Sequence, residues 1–75
     1  MGKLTQGVVR EYVRTLGGTF KRTQWDDYKV AFGQGDARQE YFCNDLLDCI
    51  ETARVMKGSH PGIEQAEEYL KGEGF

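Results

Sequence analysis

Three groups of side chains in this 75-residue sequence could do chemistry: Cys43, Cys49 and His60; the pair Asp26-Asp27; and charged clusters of both signs. A zinc site needs ligands at defined short spacings. The pattern Cys-x5-Cys-x10-His matches no standard arrangement, and there is no Cys-x2-Cys or His-x3-His pair, so no metal is expected. Cys49 falls instead on an apolar helical stripe, where a thiol packs as a small hydrophobe. Asp26 and Asp27 are adjacent and point apart; turn chemistry accounts for them. Gly33-Gln34-Gly35 lacks the third glycine and the helix start that a phosphate loop requires. His60 stands beside Pro61 and suits a helix cap better than a general base. No nucleophile–base set can be assembled, and a chain this short leaves little room for a water-excluding pocket. Neither catalysis nor a cofactor is expected.

Charge is the stronger signal. The net charge is −2, yet residues 1–34 carry six Lys/Arg against three Asp/Glu, and residues 35–75 carry four against nine. Such asymmetry between halves points to an interaction surface. The acidic set, Asp45, Asp48, Glu51, Glu64, Glu67 and Glu68, falls on two helices and is the expected contact with a protein partner. The alternative surface is Lys21, Arg22, Trp25 and Lys29, since cations beside an aromatic can hold single-stranded nucleic acid. Its few cations stand against an acidic overall balance, so direct nucleic-acid binding is the less favoured reading. A homodimer built on Tyr41 or Phe42 and Phe75 is a third reading.

These residues are positioned by a short list of elements. Leu4, Val8, Tyr12 and Leu16 recur every four residues, with Val9 and Val13 widening the stripe, which predicts an amphipathic helix ended by Gly17-Gly18. Thr19 to Gln24 and Tyr28 to Phe32 alternate as strands. Pairing Phe20 with Phe32 leaves Trp25-Asp26-Asp27 as a three-residue loop. The other face then carries Lys21, Thr23, Lys29 and Ala31 and is polar and basic. A third strand runs from about Arg38 to Cys43, and either Tyr41 or Phe42 must be partly exposed. Asn44 is the expected cap of a second helix ending at Gly58, with Leu46, Cys49, Ile50, Ala53 and Met56 on its inner face. A third helix carries Ile63, Ala66 and Leu70, with Pro61 in its first turn.

The reading is a single α+β domain in the order α-β-β-β-α with an extra short C-terminal helix, a three-stranded antiparallel sheet packed on helices. That order is shared with double-stranded-RNA-binding domains, which dock phosphate through a Lys-rich cluster at the start of their last helix. Here Asn44-Asp45-Leu46-Leu47-Asp48 places two carboxylates where phosphate would sit, so that function is not expected. Two cysteines are too few for a secreted disulfide scaffold, no signal peptide opens the chain, and no stretch reaches membrane-spanning length. A cytoplasmic protein with free thiols and no membrane association is expected.

The runs Gly18-Thr19-Phe20-Lys21-Arg22-Thr23, Asp27-Tyr28-Lys29-Val30, Tyr41-Phe42-Cys43-Asn44-Asp45-Leu46-Leu47-Asp48 and Thr52-Ala53-Arg54-Val55-Met56 together resemble small proteins of bacterial phages, plasmids and integrative elements. In those proteins a hairpin of "I-x-K-T…E-Y-R-V" type precedes a helix of "Y-Y-T-D-D-L-E-D-A…T-A-x-x-M" type. The resemblance covers residues 18–56. This chain departs from it with Cys43-Asn44 at the cap and Leu47 where an acid is usual. The resemblance implies a bacterial or phage origin and no activity. By that context, an anti-CRISPR-like inhibitor of a host complex is the concrete expectation.

Overall fold

Thr5 opens the first helix, α1 (Gln6–Thr15). Its backbone is extended and its hydroxyl accepts from the Val8 N–H at 3.3 Å, the capping role that threonine fills well. The computed structural model describes residues 3–75. Val8, Val9, Tyr12 and Val13 face inward. Gly17, at φ +80°, ends the helix in the left-handed conformation, which glycine adopts without a Cβ clash.

Strands β1 (Gly18–Arg22), β2 (Tyr28–Phe32) and β3 (Gln39–Cys43) form an antiparallel sheet in the order β1-β2-β3. The β1–β2 register differs by two residues from the expected pairing: Phe20 faces Val30, and Phe32 faces Gly18. An even shift keeps the same side chains on the core face, so alternation alone could not distinguish the two. Contacts at both ends select the observed one. A Cβ on Gly18 would stand 2.5 Å from two carbons of the Phe32 ring, so the ring occupies the space a side chain would need. At the other end Thr23 N–H donates to the Asp27 carbonyl at 2.9 Å, which makes the loop Gln24-Trp25-Asp26. Asp26, at φ +64°, supplies the left-handed residue that closes a three-residue hairpin loop.

The sheet faces follow from the register. Phe20, Val30 and Tyr41 form one row toward the helices; Lys21, Lys29 and Phe42 form a row on the open face. Phe42 is therefore the exposed member of the Tyr41-Phe42 pair, at 67%. Ala31 also lies on the open face, between Thr19 and Glu40, yet it is buried, so that face is less uniformly polar than expected.

Helix α2 (Leu46–Met56) is capped by Asp45 and not by Asn44. The Asp45 carboxylate accepts from the Asp48 N–H at 2.8 Å, while Asp48 accepts from the Asn44 N–H at 3.1 Å. This reciprocal pair satisfies two backbone donors at the helix start. Asp wins the cap because its side chain reaches the third helical N–H while Asn44 still belongs to the strand exit. Helix α3 (Ile63–Gly72) starts two residues after Pro61, which lies in the preceding turn rather than in the first helical turn. His60 Nδ1 accepts from the Gly62 N–H at 2.9 Å in that turn, a local backbone-capping role.

The architecture is α+β, with one face of a three-stranded antiparallel sheet covered by helices. α1 packs on β1 and against α2 and α3, and α2 packs on β2 and β3. The core joins Val9, Tyr12, Val13 and Leu16 of the α1 segment to Phe20, Val30 and Phe32 of the sheet and to Cys49, Ile50, Ala53, Ala66 and Leu70 of the two later helices.

Candidate functional site

The six carboxylates offered by the sequence differ in what they contact. Glu67 is engaged within the fold: it pairs with Arg54 of α2 through two bonds of 2.9 Å and accepts a hydrogen bond from the hydroxyl of Tyr12 of α1. The Arg54 guanidinium holds the Glu67 carboxyl below its usual range, against an opposing desolvation effect. Burial, reinforced by Glu67, pushes the Tyr12 hydroxyl up to about 12. One acid thus ties three helices together. Asp45 and Asp48 are engaged in capping α2. Glu51, Glu64 and Glu68 are exposed, and among the described residues none has an ion-pair partner.

What accompanies Glu51 was not anticipated. Leu47, Glu51 and Val55 follow at four-residue intervals on the outer side of α2, and Leu47 is 58% and Val55 75% exposed. Met56, expected on the inner face, is 43% exposed because α2 reaches its cap at Lys57, past the edge of the core. Leu47 lines two depressions at once. One, of about 250 Å³, is polar and bordered by Asn44, Asp45, Asp48 and Glu51. The other, of about 180 Å³, is lined by Leu4, Ile50, Leu70 and Phe75 together with Arg54, Glu67 and Lys71. A neighbouring depression on α3 is bordered by Ile63, Glu64, Glu67, Glu68 and Lys71. The outer surface of α2 and α3 therefore alternates apolar and acidic groups.

The basic residues are divided as well. Arg22 pairs with Asp26 at 2.6 Å within the hairpin. Lys29 and Arg38 each reach Glu40 at 3.2 Å, and Lys29, then Arg38, hold the Glu40 carboxyl low. Lys21 has no ion-pair partner among the described residues. Trp25 sits at the hairpin tip and is 78% exposed, so it does not pack over its loop.

Cys43 and Cys49 are buried free thiols. Burial, with the Cys43 thiol as a second cause, pushes the Cys49 thiol well up, the opposite of what a nucleophile needs. Among the described residues no group of three or more His, Cys, Asp or Glu could hold a metal ion, and no helix is long and apolar enough to cross a membrane. Comparison of the chain with protein families, with curated proteins and with solved structures finds no match.

The exposed apolar pair on α2 was readable in principle. Leu47 and Val55 lie eight residues apart and off the Leu46–Cys49–Ile50–Ala53 stripe, which marks them as apolar residues on an outer face. Exposure of Phe42 required the register of β3, which alternation could not supply.

Proposed function

We propose that this chain is a small non-catalytic module that binds a protein partner through the outer surface of α2 and α3. The observation that carries the reading is the Leu47–Glu51–Val55 stripe. Two exposed apolar residues on one outer helix face, interleaved with an unpaired carboxylate, match a partner that is both apolar and basic. The crevice beside Leu47 has the size and lining to take one apolar anchor of that partner, and Glu51 is placed to meet a Lys or Arg next to the anchor. The altered acidities of Tyr12, Glu40, Cys49 and Glu67 each trace to burial or to a structural neighbour, which favours binding over catalysis.

The resemblance to small proteins of phages and mobile elements supports a bacterial host complex as that partner. An inhibitor that covers a basic, nucleic-acid-binding surface of a defence complex, as anti-CRISPR proteins do, is the concrete version. The test compares partner binding by three proteins of equal thermal stability: the native chain, Leu47→Asp/Val55→Asp and Glu51→Lys. Loss of binding in both variants supports the reading, and unchanged binding in both overturns it.

A further inference from the structure

The open sheet face carries an electrostatic cost. Lys21 and Lys29 are direct cross-strand partners, an arrangement that destabilises a sheet when charges are alike. Among the described residues only Lys29 has a carboxylate, Glu40, to offset it. Phe42 completes the same row on β3 and is among the most exposed large hydrophobic residues. The basic character continues beyond the sheet. A depression of about 260 Å³ bordered by Thr19, Lys21, Lys29 and Arg38 adjoins another of about 310 Å³ bordered by Arg10, Arg14 and Gly18, and both share Thr19 and Phe20. Arg10, which stands over the Phe20 ring, and Arg14 on α1 thus lead round the β1 edge to Lys21, with Lys29 and Arg38 further across the open face. Two carboxylates oppose them: Glu40, and Glu11 at 3.8 Å from Arg14.

We propose that single-stranded nucleic acid wraps the β1 edge, with phosphates along Arg10 and Arg14 on the α1 side and Lys21 on the open face, and a base stacked on Phe42. A line of cations beside one exposed ring is the chemistry of such binding: the cations track the backbone, and every base offers a π-face to the ring. Adjacent strands lie about 4.8 Å apart, so Phe42 stands about 10 Å across the sheet from Lys21. This face is separate from the α2–α3 surface, so either can fail without the other.

The experiment is fluorescence anisotropy of a labelled 20-nucleotide oligothymidylate between 20 and 200 mM salt. Binding should weaken with salt by roughly 0.7 log units per log unit of salt for each phosphate contacted. Lys21→Ala should flatten that slope by about one contact, and Phe42→Ala should weaken binding roughly tenfold. Leu47→Asp/Val55→Asp should bind as the native chain does. No binding at 20 mM salt overturns the proposal. So does equal binding of heparin with no effect of Phe42→Ala, which would mark a general anion surface. Tighter binding of a polyaspartate peptide than of the oligonucleotide would also overturn it and identify an acidic protein segment as the ligand.

Discussion

The hydroxyl of Tyr12 on α1 donates to the carboxylate of Glu67 on α3, and the same carboxylate holds the Arg54 guanidinium of α2. An acid that looks available from the sequence is thereby committed to joining three helices. Its neighbours on the outer surface, Glu51, Glu64 and Glu68, have no ion-pair partner among the described residues, so their loss should leave stability nearly unchanged.

Glu67→Gln should lower stability by about 1 kcal/mol, since it removes a charge-assisted pair and weakens the bond from a buried hydroxyl. Glu51→Lys should leave stability within about 0.5 kcal/mol of the native value. Urea unfolding of the two variants checks both, and equal midpoints would remove the distinction.

The same network predicts a pH profile. Tyr12 is held protonated in the folded state up to about 12, above its ordinary value near 10. Its contribution is complete below about pH 10 and is lost as pH rises toward 12, because the native state then binds more protons than the unfolded one. Glu67 has the opposite sign. Its lowered folded value makes its contribution complete above the ordinary carboxylate range and lost as pH falls through that lowered value. Thermal unfolding from pH 9 to 12 should show the alkaline fall in the native chain and a flatter curve in Tyr12→Phe.

Asp45→Ala should cost about 1 kcal/mol, because it removes the side chain that satisfies the Asp48 N–H. Asn44→Ala should cost much less, since Asn44 contributes its backbone N–H, which alanine retains. Reversal of that order in thermal melts would show that Asn44 is the cap.

Gly18→Ala should destabilise by roughly 1–3 kcal/mol. The new Cβ would meet the Phe32 ring at 2.5 Å and the Ala31 carbonyl oxygen at 2.7 Å. If the hairpin instead paired Phe20 with Phe32, Gly18 would lie beyond the pairing and the substitution would be nearly neutral. A chemical-denaturation midpoint decides between the two registers.

Much of this fold is legible because apolar spacing changes period along the chain. The four-residue recurrence of Leu4, Val8, Tyr12 and Leu16 and the alternation of Tyr28, Val30 and Phe32 identify elements without further help. Register is less legible: Phe20 against Val30 and Phe20 against Phe32 bury the same side chains, and only the Phe32 ring over Gly18 and the left-handed Asp26 separate them. The candidate site is less legible still. A carboxylate's type and helical position do not reveal that Glu67 meets Arg54 thirteen residues away or that Asp45 caps its own helix. Those pairings depend on helix packing, and so does the exposure of Val55.

Photocrosslinking can show whether the Leu47–Glu51–Val55 face of α2 meets a protein, as we propose. A benzophenone amino acid placed at Val55, and separately at Gln24 in the hairpin loop as a control, is irradiated in a bacterial lysate. One discrete heavier adduct is expected from position 55 and none from position 24, with loss of that adduct on adding Leu47→Asp and its retention with Lys21→Ala/Phe42→Ala. Equal labelling from both positions, an adduct indifferent to Leu47→Asp, or an adduct of twice the chain's own mass would contradict the proposal.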